Sequence, residues 1–257
     1  MPRVELVVPC YNEAHRLDGE AFVRFRSDRF DASFLFVDDG SGDATATTLA
    51  RLCSRAPERL SWMRLDRNRG KAEAVREGMR RALGQGRADY VGYWDADLAT
   101  PLEELPRFVA ALEQDPDVEL VMGARVQLLG HRIDRKFHRH AYGRVFTTAV
   151  AVLLDLPLYD TQCGAKLFRA TDDVRAAFVD PFVTRWIFDV EILARLMGRW
   201  ERRGIDTTTR LRELPLERWH DVPGSKVTTR DAVLALRDLA RLARAYRVPI
   251  AARRARR

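Results

Sequence analysis

Short β-branched and aromatic runs that stop abruptly at polar turns recur through the first half of this chain, and they restrict its fold more than any other feature. Val4-Glu5-Leu6-Val7-Val8-Pro9 runs into Cys10-Tyr11-Asn12-Glu13, and Ser33-Phe34-Leu35-Phe36-Val37 into Asp38-Asp39-Gly40-Ser41-Gly42-Asp43. Tyr90-Val91-Gly92-Tyr93-Trp94 stops at Asp95-Ala96-Asp97. Such runs read as buried strands with polar tips. Leu60–Leu65 and Val118–Gly123 read as two more strands. Helical patterns lie between them. Asp43 reads as the N-cap of a helix through Ala56, and Lys71–Leu83 as a second helix. Thr100 as N-cap, Pro101 at N1 and Glu103 at N3 open a third, to about Gln114. Strands separated by helices call for an α/β fold with a mainly parallel central sheet.

The second half is less regular. A basic stretch, Arg125–Arg144, leads into an apolar helix through about Leu154; Ala165–Phe168 reads as a short strand, Phe188–Met197 as a helix and Leu211–Leu216 as a strand. A last helix begins near Asp231, with Val233, Leu236, Leu239, Leu242 and Tyr246 at helical spacing, and a tail of Arg253-Arg254-Ala255-Arg256-Arg257 follows. With no repeat and no Pro/Gly/Ser-rich linker, we expect one domain over 1–229 and an amphipathic helix with a basic tail over 230–257. The stripe of that helix fits packing on the domain or lying in a membrane interface.

At 46% hydrophobic, the 257 residues can bury a full core. No apolar run is long enough to span a bilayer, and the start of the chain has no signal-peptide pattern. Cys10, Cys53 and Cys163 are too few and too scattered for a disulfide framework, which fits a reducing, cytoplasmic setting. The net charge of +7 is carried almost wholly by Arg, because Lys occurs only at 71, 136, 166 and 226. So lopsided a ratio is weak ground for a nucleic-acid partner, and none is expected. Anionic substrates or an anionic membrane surface remain open.

In an open α/β sheet, ligands bind beyond the carboxyl ends of the strands. A parallel sheet would gather the three polar loops on one edge. Asp95 and Asp97, two residues apart, can share one hard cation, and Mg²⁺ or Mn²⁺ held that way is usually shared with substrate phosphates. Glu13 and Asp39 can accept hydrogen bonds from ribose hydroxyls and a base N–H, Tyr11 can pack on a base, and Lys71 sets a cation at a helix start. Neither a Gly-x-Gly-x-x-Gly nor a Gly-x-x-x-x-Gly-Lys-Ser/Thr motif is present, which disfavours a dinucleotide fold and a P-loop.

The ordered set Pro-x-Tyr-Asn-Glu, Val-Asp-Asp-Gly-Ser-x-Asp, Asn-x-Gly-Lys and Asp-Ala-Asp resembles an inverting family-2 nucleotide-sugar glycosyltransferase of the Rossmann-like GT-A fold. Asp95–Pro101, Asp160–Phe168, Arg185–Glu191 and Pro223-Gly224-Ser225-Lys226 resemble the dolichyl-phosphate β-glucosyltransferases, and less closely the polyprenyl-phosphate mannose synthases. By that resemblance, Pro9, Tyr11, Glu13, Asp39 and Lys71 hold the nucleoside. Asp95, Ala96 and Asp97 serve the diphosphate, with Asp95 and Asp97 on the metal, Mg²⁺ or Mn²⁺. Arg125 and Arg139 hold an acceptor phosphate, and Ser225 and Lys226 close over the donor. Mannose synthases often carry Gln where this chain has Ala99, and Ala-Thr-Pro here fits the glucosyl group. The expected reaction moves glucose from UDP-glucose to a polyprenyl or dolichyl phosphate at the cytosolic membrane face. An acceptor phosphate needs little base catalysis; for a hydroxyl acceptor, Asp160 is the candidate base, with Asp189 or Glu191 behind it.

Four rivals follow from the same residues. The same catalyst could act on a soluble acceptor such as a metabolite, peptide or modified base, or use GDP-mannose. A nucleotidyltransferase also uses paired Asp and Mg²⁺ but needs a triphosphate loop that is not evident. A basic nucleic-acid-binding module would bind with a steep salt dependence and transfer nothing.

Overall fold

The computed structural model describes residues 1–133, 137–222 and 229–246, apart from the side chains of 137–145, 229–234 and 236. The chain opens with β1 (Arg3–Cys10), α1 (Gly19–Arg24), β2 (Asp31–Asp38), α2 (Thr45–Cys53), β3 (Leu60–Arg64), α3 (Lys71–Gln85) and β4 (Tyr90–Trp94). A 3-10 turn at Leu102–Glu104 leads into α4 (Leu105–Gln114), followed by β5 (Leu120–Ala124), β6 (Arg132–Ile133) and α5 (Phe137–Leu154). Then come β7 (Ala165–Arg169), α6 (Asp172–Ala177), α7 (Phe188–Arg202), α8 (Thr207–Arg210), β8 (Leu211–Pro215), β9 (Arg218–Trp219) and α9 (Thr229–Ala245).

Seven strands form one sheet in the order β3-β2-β1-β4-β7-β5-β8, and β6 pairs with β9 apart from it. β1 runs parallel to β2 and β4, β2 to β3, and β5 to β8; β7 alone is antiparallel, to β4 on one side and β5 on the other. The apolar runs lack strict alternation because both sheet faces are covered. Val4, Leu6, Val8, Phe34 and Phe36 pack into one core layer with α2 and α4 residues such as Leu49, Phe108 and Leu112. Val7, Leu35 and Val37 enter the opposite layer with Val75 and Met79 of α3 and Ile192 and Leu196 of α7. The fold is thus an α/β single domain with a mostly parallel sheet.

Two expected helix starts differ. Asp43 accepts the Thr45 N–H at 3.0 Å, but the helix begins at Thr45, and Asp43 also receives the Ala14 N–H at 3.3 Å. Its carboxylate ties two cleft loops together as well as serving the helix. Thr100 does not cap α4: it is buried, and its carbonyl accepts the Trp94 indole N–H at 2.7 Å, so a 3-10 turn intervenes.

In α9, Ala235 and Leu242 are buried, and Leu239 and Tyr246 pack on the second core layer. The Tyr246 hydroxyl accepts from Arg195 at 2.9 Å and donates to Glu191 at 2.6 Å. The described part of the apolar stripe therefore faces the domain. Val233 and Leu236 as side chains, and the tail beyond Tyr246, lie outside the described residues. Among those residues, no helix is long and apolar enough to cross a membrane.

Candidate active site

Parallel β1, β2 and β4 end together, so their tips share one edge. Between them opens a cleft of about 290 Å³, lined by Pro9, Cys10, Tyr11, Glu13, Asp39, Asn68, Gly70, Lys71, Ala74, Asp95, Ala96 and Asp97. Every residue assigned to donor or metal from the sequence lies on it, except Ser225 and Lys226, which fall outside the described residues. Asn68 and Cys10 join the wall.

The carboxylates are held in specific ways. Asp39 accepts the Arg69 and Gly70 N–H groups at 2.7 and 2.8 Å, fixing the loop that starts α3. Burial raises its pKa against the pull of those two N–H donors. Asp38 is fully buried at the sheet edge, accepts the Ser41 N–H at 3.0 Å, and faces Arg64 at 3.2 Å. Asp95 is ion-paired to Lys71 at 2.5 Å. Burial works against the Lys71 charge, but Asp95, Asp189 and Asp97 outweigh it and hold the ammonium above its ordinary pKa. Asp97 faces Arg16 at 3.5 Å, and Arg16 also reaches Glu13 at 3.4 Å. Burial, reinforced by Asp95, raises the pKa of Asp97; burial first and the neighbouring acids second raise that of Glu13. Each carboxylate of Asp95-Ala96-Asp97 thus already faces one basic side chain. Arg16 had only its place three residues after Glu13 to mark it.

The Asp160–Gly164 loop arrives at this edge because β7 runs backwards. Asp95 donates its N–H to the Gly164 carbonyl at 3.1 Å, and a Cβ at 164 would lie 1.9 Å from Asp95 Oδ2. Only a residue without a side chain leaves that carboxylate its place. Beneath it, Lys166 is fully buried and donates to the carbonyls of Thr161 and Cys163 and, at 2.5 Å, to Asp189, which also accepts the Tyr93 hydroxyl at 2.5 Å. One of only four lysines, set inside an apolar strand, signals such a partner.

The carboxylates considered as proton acceptors each have partners in the structure. Both oxygens of Asp160 are bonded to Arg125, from Nε at 2.6 Å and Nη2 at 2.8 Å, and the Arg125 N–H adds a third bond at 3.2 Å. A carboxylate clamped by a guanidinium is a poor base, because the pair favours its charged form. Asp189 serves Lys166 and Tyr93. Glu191, fully buried, holds Val183, Thr184, Arg195 and Tyr246. Arg125 lies 5.4 Å from the Trp219 ring centroid, and burial of its charge is overcome by Asp160 and then by more distant groups including Asp95. Its Nη1 makes no hydrogen bond among the described residues, so one arm is left for an anion. The backbone of Arg139 lies on α5, and its side chain falls outside the described residues.

The profile of Glycosyl transferase family 2 matches residues 5–174, from β1 into α6. The chain belongs to this family. A relative, the dolichyl-phosphate beta-glucosyltransferase of Drosophila melanogaster, is 32% identical over 247 residues, 88% of this chain and 70% of that protein. The Saccharomyces cerevisiae protein of the same name is 28% identical over 269 residues, 95% of this chain and 75% of its own length. Among solved structures, the Mycobacterium tuberculosis glucosyl-3-phosphoglycerate synthase in complex with Mn²⁺ and UDP-glucose superposes with a TM-score of 0.62 at 17% identity, covering 96% of this chain and 80% of that one. That likeness shows a shared GT-A fold.

Proposed function

We propose that this family-2 glycosyltransferase transfers glucose, with inversion, from UDP-glucose to a polyprenyl or dolichyl phosphate at the cytosolic membrane face. The carrying observation is that Pro9, Tyr11, Glu13, Asp39, Lys71, Asp95, Ala96 and Asp97 line one cleft. Arg125, set at the end of β5, opens from the same sheet edge. The names of the relatives supply the sugar and the acceptor class.

Glu13 supports a polyhydroxylated guest: it lies on the cleft wall, and its Oε2 meets only the Arg16 guanidinium, at 3.4 Å, which leaves it open to a ribose hydroxyl.

Asp95 and Asp97 fit a divalent cation as a two-carboxylate site. Their oxygens are hard donors on the cleft wall, and Gly164 keeps a cradle for Asp95 that any Cβ would fill. No group of three metal-binding side chains occurs among the described residues, so the donor diphosphate would supply further oxygens. Bound there, Mg²⁺ or Mn²⁺ would neutralise charge on the departing diphosphate. Lys71 adds a second positive charge beside it. Asp39 and Glu13 orient the nucleoside, and Tyr11, 42% exposed, offers a face to the base. Arg125, aimed by Asp160, holds the acceptor phosphate for in-line attack at the anomeric carbon. That anion carries its own negative charge, so no protein base is needed, and alignment supplies most of the rate.

The test incubates the protein with UDP-glucose, Mn²⁺ and undecaprenyl or dolichyl phosphate, with mass spectrometry of the lipid and NMR of the anomer. A β-linked glucosyl lipid is expected. Transfer confined to soluble phosphorylated acceptors, or to GDP-mannose as donor, would overturn the acceptor or the donor assignment respectively.

A further inference from the structure

The loop between β5 and β6 has an unusual build. Its base is locked. Arg132 and Ile133 pair in register with Arg218 and Trp219, Ile133 and Trp219 are buried, and His131 Nδ1 lies 2.7 Å from the Leu216 carbonyl. Its tip is a turn closed by the His131 N–H on the Leu128 carbonyl at 3.1 Å, with Gly130 at φ 85°, a conformation that suits glycine. This rigid turn holds two leucines outward: Leu128 is 48% exposed and Leu129 fully exposed. A soluble surface rarely spends a built turn on two adjacent leucines.

The rim is cationic. A hollow of about 470 Å³ beside the tip is lined by Leu129, Gly130, His131, Arg132, Glu217 and Arg218. Its one acid, Glu217, faces Arg107 at 3.4 Å. Arg132 and Arg218 are exposed and make no ion pair among the described residues. Two exposed leucines beside Arg132 and Arg218 match an anionic bilayer, with acyl chains for the leucines and headgroup phosphates for the arginines. An acidic protein surface would satisfy the arginines but not a fully exposed leucine.

Position supports the match. The loop starts at Arg125, and Trp219, at the base of the loop, carries the Arg125 guanidinium on its ring. Docking the tip would hold the acceptor-binding side of the cleft against headgroups, where a lipid phosphate emerges. The described stripe of α9 packs inward and leaves this task to another surface.

We propose that the 127–132 turn, with Arg218, is the membrane-docking surface of this protein and takes a bilayer containing anionic lipid. The direction of docking rests on the lipid-phosphate acceptor proposed above; the surface itself does not.

Sedimentation with phosphatidylcholine vesicles, with and without about one third phosphatidylglycerol, tests it. The full chain is expected to bind the anionic vesicles, and L128S/L129S and R132E/R218E each to lower the partition coefficient about tenfold or more. Both variants should keep wild-type UDP affinity with Mn²⁺ and wild-type transfer to a short, water-soluble isoprenyl phosphate. In Leu129→Trp, indole emission should shift to the blue on adding anionic vesicles. Wild-type protein that ignores vesicles, variants that bind as well as wild type, or an unshifted emission from L129W would each overturn the surface. Vesicle binding with no transfer to any isoprenyl phosphate would instead overturn the acceptor assignment and leave the surface standing.

Discussion

Replacing Gly164 by Ala should separate activity from folding. The backbone there is not left-handed, so alanine meets no conformational penalty, and its Cβ would lie 1.9 Å from Asp95 Oδ2 and 2.2 Å from Cγ. Ordinary contact begins at 3.4 Å, so the carboxylate must retreat by about 1.5 Å. It then leaves Lys71 and the cleft. Misplacement by about 1 Å at a reacting centre costs on the order of a hundredfold, so kcat/KM for UDP-glucose should fall by roughly that factor, or about 2.7 kcal/mol. The stability cost should be small. The Lys71–Asp95 side chains are 45% and 33% exposed, and an exposed ion pair is worth about 0–1 kcal/mol. On a chain of this size that is a Tm change of no more than about 4 °C. The assay pairs initial-rate kinetics and UDP calorimetry in Mn²⁺ with thermal unfolding. Gly42→Ala is the control, since a Cβ there meets nothing within 4 Å. Activity within threefold of wild type would refute the steric argument. A Tm loss above about 8 °C would show Gly164 to be a folding residue instead.

Asp160→Asn should raise KM for the acceptor about tenfold through a misaimed Arg125 while leaving the pH profile of kcat unchanged; loss of an acidic limb would reinstate Asp160 as a base. Lys166→Met leaves Asp189 buried without its cation and should cost about 3–5 kcal/mol in urea unfolding, with K166M/D189L recovering much of it. Asp97 has a folded pKa raised chiefly by burial and secondly by Asp95. Its ionisation therefore costs stability, absent below the unfolded value near 3.8 and complete above the folded one. Asp97→Asn should raise the Tm of the ligand-free protein at pH 7.5, not below pH 3.8, and abolish the Mn²⁺-dependent gain in UDP affinity. An equal Tm change at both pH values would refute that linkage.

The cleft expected to take the donor was largely legible in the sequence, because Pro9, Tyr11, Glu13, Asp39, Asp95, Ala96 and Asp97 lie at or just past the tips of strands buried on both faces, and such strands announce themselves as apolar runs; Lys71 instead opens α3. The side expected to take the acceptor was not. Arg125 and Asp160 were both singled out, but their pairing joins residues 35 apart, and no local pattern encodes it. The two-residue strands β6 and β9 are too short to carry a period, and the direction of β7 leaves no mark on composition. Thr100 read as a cap because its neighbours fit one, and tertiary contact with Trp94 prevailed over that local preference.

The reversed β7 has an architectural consequence. β5 ends at Ala124 and β7 begins at Ala165, and Val121↔Leu167 and Trp94↔Ala165 hold β7 between its neighbours. Residues 125–164 are thus a single excursion that leaves and re-enters the sheet on the same edge, at neighbouring strands. Both of its anchors belong to the framework that positions Asp95. On the proposed function, insertions or deletions in it ahead of Asp160 would reshape what meets the sugar, while the Asp160–Gly164 end keeps Asp95 in place. If that function holds, acceptor choice can drift in such a design while donor chemistry stays fixed.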